Sequence, residues 1–162
     1  MHKLTKLSAI SVCLLLSGAS PAFASGGGSA SSSPACVAQI ASVVTSTGYG
    51  SFGPLSATLA SNIKVKNCTN APASWTTRLT YVGVSWGNQL LENPPLSTFQ
   101  EDIPTVAAAN STQGVRGKVQ CNLLVGQTYS VRVDVVDATN TVLSSWSGTA
   151  ATPSTPNPIT GS

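Results

Sequence analysis

The sequence predicts an all-β protein, a single antiparallel β-sandwich of two packed sheets. Three observations lead there. Apolar and polar residues alternate in several short runs, the period-two signature of strands with one buried face and one wet face. No long segment carries the 3.6-residue period of a helix. Clusters of Asn, Asp, Pro and Gly punctuate the runs, so that roughly seven or eight strands fit into about 115 residues, the density of a sandwich.

Ahead of the sandwich, residues 1–24 read as a helical, cleavable signal peptide. His2, Lys3 and Lys6 form a positive start, Leu7 to Gly18 an apolar run, Pro21 a break, and Ala22-Phe23-Ala24 a small-residue cleavage site. The apolar run is about a dozen residues, short of the roughly 20 that span a bilayer. Cys13 does not make a lipoprotein signal, because Val12 precedes it and Leu14-Leu15-Leu16 continue the apolar run after it. No later segment has the length and apolarity of a transmembrane helix. Residues 25–35 are expected to form a flexible Gly/Ser-rich spacer, 36–152 the sandwich, and 153–162 a polar, Pro-rich tail.

The clearest strand is Tyr129 to Val135, with Tyr129, Val131, Val133 and Val135 on one face and Ser130, Arg132 and Asp134 on the other. Trp75 to Tyr81 alternates likewise, with Trp75, Leu79 and Tyr81 inward. Ile63–Lys66 and Val115–Cys121 complete the strong set, and Val37–Val44, Ser56–Leu59, Val82–Leu91 and Thr141–Thr149 are weaker. Turns fall at Asn70-Ala71-Pro72, at Asn93-Pro94-Pro95 and at Asp137-Ala138-Thr139-Asn140, where Asp and Asn side chains bond their own backbone and tolerate left-handed conformations.

After cleavage the chain keeps six cations, Lys64, Lys66, Arg78, Arg116, Lys118 and Arg132, against five carboxylates, Glu92, Glu101, Asp102, Asp134 and Asp137, a net charge of +1. That is not the strongly basic surface that nucleic acid binding requires. His2, the one histidine, leaves with the signal. Triads that need imidazole as a base are thereby excluded, and so are most zinc sites. No catalytic residue, metal site or cofactor is expected.

The segment Leu124 to Asp137 resembles the end of a fibronectin type III domain, a member of the immunoglobulin-like sandwiches. Leu124 and Tyr129 match the tyrosine corner of that family, Ser144-Ser145-Trp146-Ser147 matches the start of its last strand, and Arg132 and Trp146 match a stacked arginine–tryptophan pair. The likeness spans about 30 residues, and an early tryptophan in the second strand is missing. It implies fold more than function.

Three cysteines remain in the exported chain, and export permits disulfides. If the first two strands are antiparallel, Cys36 lies beside Cys68, and a bond there adds roughly 3–4 kcal/mol in the chain-entropy account. Cys121, on the face of Val115 and Val119, is then a buried thiol. A Cys68–Cys121 bond is the alternative.

Lys64, Lys66, Arg116 and Lys118 are expected to face outward on neighbouring strands, either as a cationic face for an anionic cell-envelope polymer or as lysines that keep a sheet soluble and block edge pairing. Of the tryptophans, Trp75 and Trp146 read as structural. Trp86, between Ser85 and Gly87, is the ring expected at the surface, where it could stack on a sugar. Glu92, Glu101 and Asp102 sit in a Pro-rich stretch that reads as loop, not as the paired carboxylates of a glycosidase cleft. Asn67-Cys68-Thr69 and Asn110-Ser111-Thr112 fit the glycosylation pattern. The sequence therefore predicts a secreted or periplasmic, non-catalytic sandwich with a binding, adhesive or surface-structural role and a protein or polysaccharide partner. The alternatives are a carbohydrate-binding module centred on Trp86 and a small hydrolase, against which the missing histidine argues.

Overall fold

The computed structural model describes residues 22–24, 28–32 and 36–158; the signal peptide expectation otherwise lies outside the described residues. Ten strands form two antiparallel sheets: β1 (Ala22–Ala24), β2 (Ser29–Ser32), β3 (Ala38–Tyr49), β4 (Ser56–Asn67), β5 (Ala73–Val84), β6 (Leu96–Ala107), β7 (Thr112–Arg116), β8 (Gln120–Leu124), β9 (Thr128–Val136) and β10 (Val142–Ala151). Sheet A runs β1-β3-β4-β7, with β8 also paired to β4, and sheet B runs β2-β10-β9-β5-β6. The chain is thus the expected all-β sandwich.

Alternation decides what lies between the sheets. Leu59, Ile63 and Val65 of β4 meet Leu79 and Tyr81 of β5 and Val131, Val133 and Val135 of β9 in one buried cluster. Hydroxyls bind the layers together. Buried Tyr81 donates its Oη hydrogen to Ser61 Oγ at 2.7 Å, and Ile40 N on β3 donates to Ser144 Oγ on β10 at 3.2 Å.

Five elements differ from expectation. Ser56–Leu59 and Ile63–Lys66 are one continuous strand, β4, because Ser61 between them is buried under the Tyr81 hydroxyl rather than turned to solvent. The strand expected over Val82–Leu91 ends at Val84, and Trp86–Asn88 form a single 3-10 turn. The Pro-rich stretch is strand, not loop: β6 pairs with β5 from Leu96↔Val84 to Ala107↔Ala73 and closes the sheet as its edge, the position in which Pro104 is tolerated. Val115–Cys121 splits into β7 and β8 around Gly117, where a Cβ would collide with Leu79 Cδ2. Finally, Ser29–Ser32 of the expected spacer pair with β10, Ser32↔Ser144 to Ser29↔Ser147.

The two ends of the sandwich are tied in different ways. At one, Tyr129 lies against Gly83, where a Cβ would strike the ring, and its hydroxyl accepts from Leu124 N at 2.8 Å while donating to Val84 O. Thr152 reinforces this end by donating to Leu124 O at 2.7 Å and accepting from Gln127 N at 3.0 Å. The tail continues across it, with Asn157 N donating to Pro54 O at 2.8 Å.

At the other end the Cys36–Cys68 disulfide forms as expected, with a Cα separation of 5.6 Å. Beside it, Asn67 is fully buried. Its Nδ2 donates to Ala71 O, Ala107 O and Ala108 O, and its Oδ1 accepts from Thr69 N and Thr69 Oγ1. One side chain therefore fastens the end of β4 to its own turn and to the end of β6. That amide is committed, so the Asn67 glycosylation pattern is closed in the folded protein, whereas Asn110 is exposed. Asn67→Ala leaves several of these buried groups unpaired and is expected to cost about 3 kcal/mol in urea unfolding, at the scale of 1–3 kcal/mol per buried unsatisfied group. An effect below about 0.5 kcal/mol would contradict the role given to this residue.

Candidate binding surfaces

Charge is divided between the layers. Residues 36–72 and 108–128, which contain β3, β4, β7, β8 and their turns, have no Asp or Glu. All five carboxylates of the described chain lie on β6, on β9, or in the connections of sheet B.

On sheet B the charges neutralise one another. Arg78 of β5 stands opposite Asp102 of β6 on one side and Asp134 of β9 on the other. Its Nε and Nη2 donate to Asp102 Oδ1 and Oδ2, both at 2.8 Å, in a bidentate pair. Arg132 Nε donates to Asp134 Oδ2 at 2.8 Å and to Oδ1 at 3.0 Å. The Arg78 hydrogen bonds hold the Asp102 carboxyl below its ordinary range. In the β9–β10 turn, Asp137 Oδ1 accepts from Thr139 Oγ1, Thr139 N and Thr141 N, and its pKa is lowered, first by the Thr139 hydroxyl. Asn140 takes the left-handed conformation expected there, at φ 61°. Two core phenols shift the other way: burial raises Tyr81 to about 12, and burial also raises Tyr129.

On sheet A no carboxylate among the described residues pairs with the cations. Lys64 and Lys66 are exposed on β4, with Ser42 and Gln39 of β3 on one side and Gly114 and Thr112 of β7 on the other. Arg116 of β7 is exposed opposite Asn62. Lys64 and Lys66 are two residues apart on one face, about 7 Å, where like charges repel by about 0.6 kcal/mol in water. The two ion pairs among the described residues, Arg78–Asp102 and Arg132–Asp134, both belong to sheet B. The fourth expected cation does not join this face. Lys118 lies in the break between β7 and β8, and its backbone N donates to Glu101 Oε2 of β6 at 2.7 Å. Edge protection does not explain Lys64 and Lys66, because β4 is an interior strand of its sheet.

Other expected site residues move. Trp146 does not stack on Arg132: it pairs with Val133 and points into the core, whereas Arg132 stands outward opposite Ser147 and turns to Asp134. The bulge between Val142 and Ser144 precedes this register. Trp86 is half-buried in its 3-10 turn, so it is not the open ring expected of a sugar platform. Its connection instead exposes Leu90 and Leu91, with Leu96 just beyond. Cys121 is buried as expected, but in the full chain it is disulfide-bonded rather than a free thiol. Glu92 is exposed in the β5–β6 connection, apart from the strand carrying Glu101 and Asp102. Among the described residues no group of three or more His, Cys, Asp or Glu could hold a metal ion.

No protein-family model matches the chain, and no curated protein matches it. Among solved structures it is similar to part of a Bacteroides uniformis β-glucuronidase 2 covalently bound to cyclophellitol-6-carboxylate aziridine, with 19% identity and a TM-score of 0.43. The likeness covers 68% of this chain and 13% of that one, so the chain spans a small part of the enzyme's length.

Two pH effects follow from these environments. A carboxylate with a lowered folded pKa adds stability above its unfolded value of about 3.9 and loses it as pH falls through the folded value. Thermal stability should therefore decline below about pH 4, and Asp102→Asn should flatten that decline; an unchanged slope would show that the exposed Arg78–Asp102 pair contributes nothing. A phenol with a raised folded pKa does the reverse. Stability from the neutral Tyr81 is complete below about pH 10 and lost as pH rises towards about 12. Ultraviolet titration of the wild type should show a phenol step near pH 12, and Tyr81→Phe should remove that step.

Proposed function

We propose that this chain is an exported, non-catalytic binding module that meets an anionic partner through the outward face of sheet A. The observation that carries this reading is the charge division. Lys64, Lys66 and Arg116 stand on a layer with no Asp or Glu in its strands or turns, while the arginines of sheet B are paired with carboxylates. A face of that kind attracts a polyanion without needing a high net charge.

The partner is an anionic cell-envelope polymer rich in phosphate. The Cys36–Cys68 disulfide fits an oxidising compartment, and no helix among the described residues is long and apolar enough to cross a membrane; both fit a periplasmic or secreted protein. A fibronectin type III type of sandwich accords with the neighbouring positions of β4 and β7–β8, the β9–β10 hairpin and the Tyr129–Leu124 hydrogen bond. The lack of histidine after residue 2 supports a non-catalytic role.

Binding of the mature protein to immobilised wall teichoic acid and to lipopolysaccharide tests this. At about 1 kcal/mol per cation near an anionic surface, the triple variant K64S/K66S/R116S should weaken binding on the order of 100-fold, and raised salt should weaken the wild type. Equal binding by the wild type and the triple variant would remove the proposal.

A further inference from the structure

The outward face of sheet B holds a second surface, on the layer opposite the cations. Three strands bring Thr80, Arg132 and Ser147 into one cross-strand row and Val82, Ser130 and Thr149 into the next. These six residues, with Val131 and Gly148 between them, line an open concavity of about 470 Å³, inside the range of roughly 300–1,000 Å³ typical of small-ligand sites. The hydroxyls of Thr80, Ser130, Ser147 and Thr149 make no hydrogen bond to any described residue. The contrast is Thr139, whose hydroxyl is spent within its own turn.

Arg132 is the one charged side chain lining the concavity. Its Nε is held by both oxygens of Asp134, which fixes the guanidinium plane, and its two terminal nitrogens have no partner among the described residues. Asp134 itself is 8% exposed and offsets the charge of Arg132, so what the terminal nitrogens offer a ligand is a set of oriented N–H donors rather than an unpaired charge. A fixed fork of N–H groups is the geometry that receives a carboxylate.

We propose that this concavity binds the carboxylate-bearing ring of an acidic saccharide, with the terminal nitrogens of Arg132 on the carboxylate and the four hydroxyls on the ring hydroxyls. A saccharide fits better than an acidic peptide. The lining sets four small hydroxyls and one guanidinium beside Val82 and Val131, with no aromatic or long aliphatic side chain, whereas protein interfaces are anchored by buried aromatic and aliphatic groups.

The test is a titration of the folded mature protein with oligogalacturonate, oligoglucuronate and oligomannuronate, alongside neutral cellotetraose, followed by amide chemical shifts. At least one oligouronate should shift Thr80, Ser130, Arg132, Ser147 and Thr149 and bind tenfold or more tightly than cellotetraose. Arg132→Gln should reduce that affinity at least tenfold. Because this change also strips the buried Asp134 of its partner, Ser147→Tyr serves as a second variant that fills the concavity and leaves the ion pair intact; it should cause a similar loss. In K64S/K66S/R116S the oligouronate should still shift Thr80, Ser130, Arg132, Ser147 and Thr149 as in the wild type, which separates this site from the cationic face. No binding by any oligouronate, equal binding of cellotetraose, or binding lost only in the triple variant would each overturn the proposal.

Discussion

Burial of one face of every major strand against the opposite sheet is the constraint from which the rest of this structure follows. Leu59, Ile63 and Val65 on one layer and Leu79, Val131, Val133 and Val135 on the other are within 1% of full burial. Each such side chain contributes about 1.5–3 kcal/mol. An exposed ion pair contributes about 0–1 kcal/mol, so the few charges of this chain have no power to set the register and must go where the alternation sends them. On β4 that is outward for Lys64 and Lys66, and on β9 outward for Arg132 and Asp134. The separation of charge between the layers is thus a consequence of which strands enter which sheet.

Polar groups inside the sandwich give that packing a single register. A slip of one residue would turn every side chain of a strand to the other face. It would also part Tyr81 from Ser61, Thr77 from Thr105 and Ile40 N from Ser144, each held in a buried hydrogen bond. Asn67 and Tyr129 perform the same task at opposite ends, where the loops would otherwise leave carbonyl and amide groups unpaired. The disulfide adds its constraint at the Asn67 end. The far end relies on Tyr129, Thr152 and the docked tail.

Where both faces of a strand have different environments, the sequence shows it. Tyr129 to Val135 and Trp75 to Tyr81 alternate cleanly because sheet B is buried on one side and wet on the other, and those strands form as read. The edge strand β6 was invisible for the opposite reason: Glu101 and Asp102 in its middle and Pro104 beyond them remove the apolar alternation, and its pairing with β5 is supplied by the partner strand. Ser61 looked like an interruption because nothing local reveals that Tyr81, 20 residues on, will bind it. The Arg132–Trp146 stack failed on register, since Trp146 shares a face with Val133, a relation that only the strand pairing fixes. Of the candidate surfaces, the outward cations of β4 and β7 were legible from alternation. Their isolation from every carboxylate, the bidentate Arg78–Asp102 pair and the hydroxyl-lined concavity around Arg132 all depend on the order of strands in the sheets.

That strand order leaves the molecule with two chemically distinct outward faces, one carrying unneutralised cations and the other carrying matched ion pairs among hydroxyls. The most direct measurement of whether the first is the working surface is amide hydrogen exchange of the protein with and without a phosphate-rich envelope polymer. Slowed exchange confined to β3, β4 and β7, around residues 39–46, 62–66 and 112–116, is the predicted result. Protection confined to β5, β9 and β10, with sheet A unchanged, would contradict it.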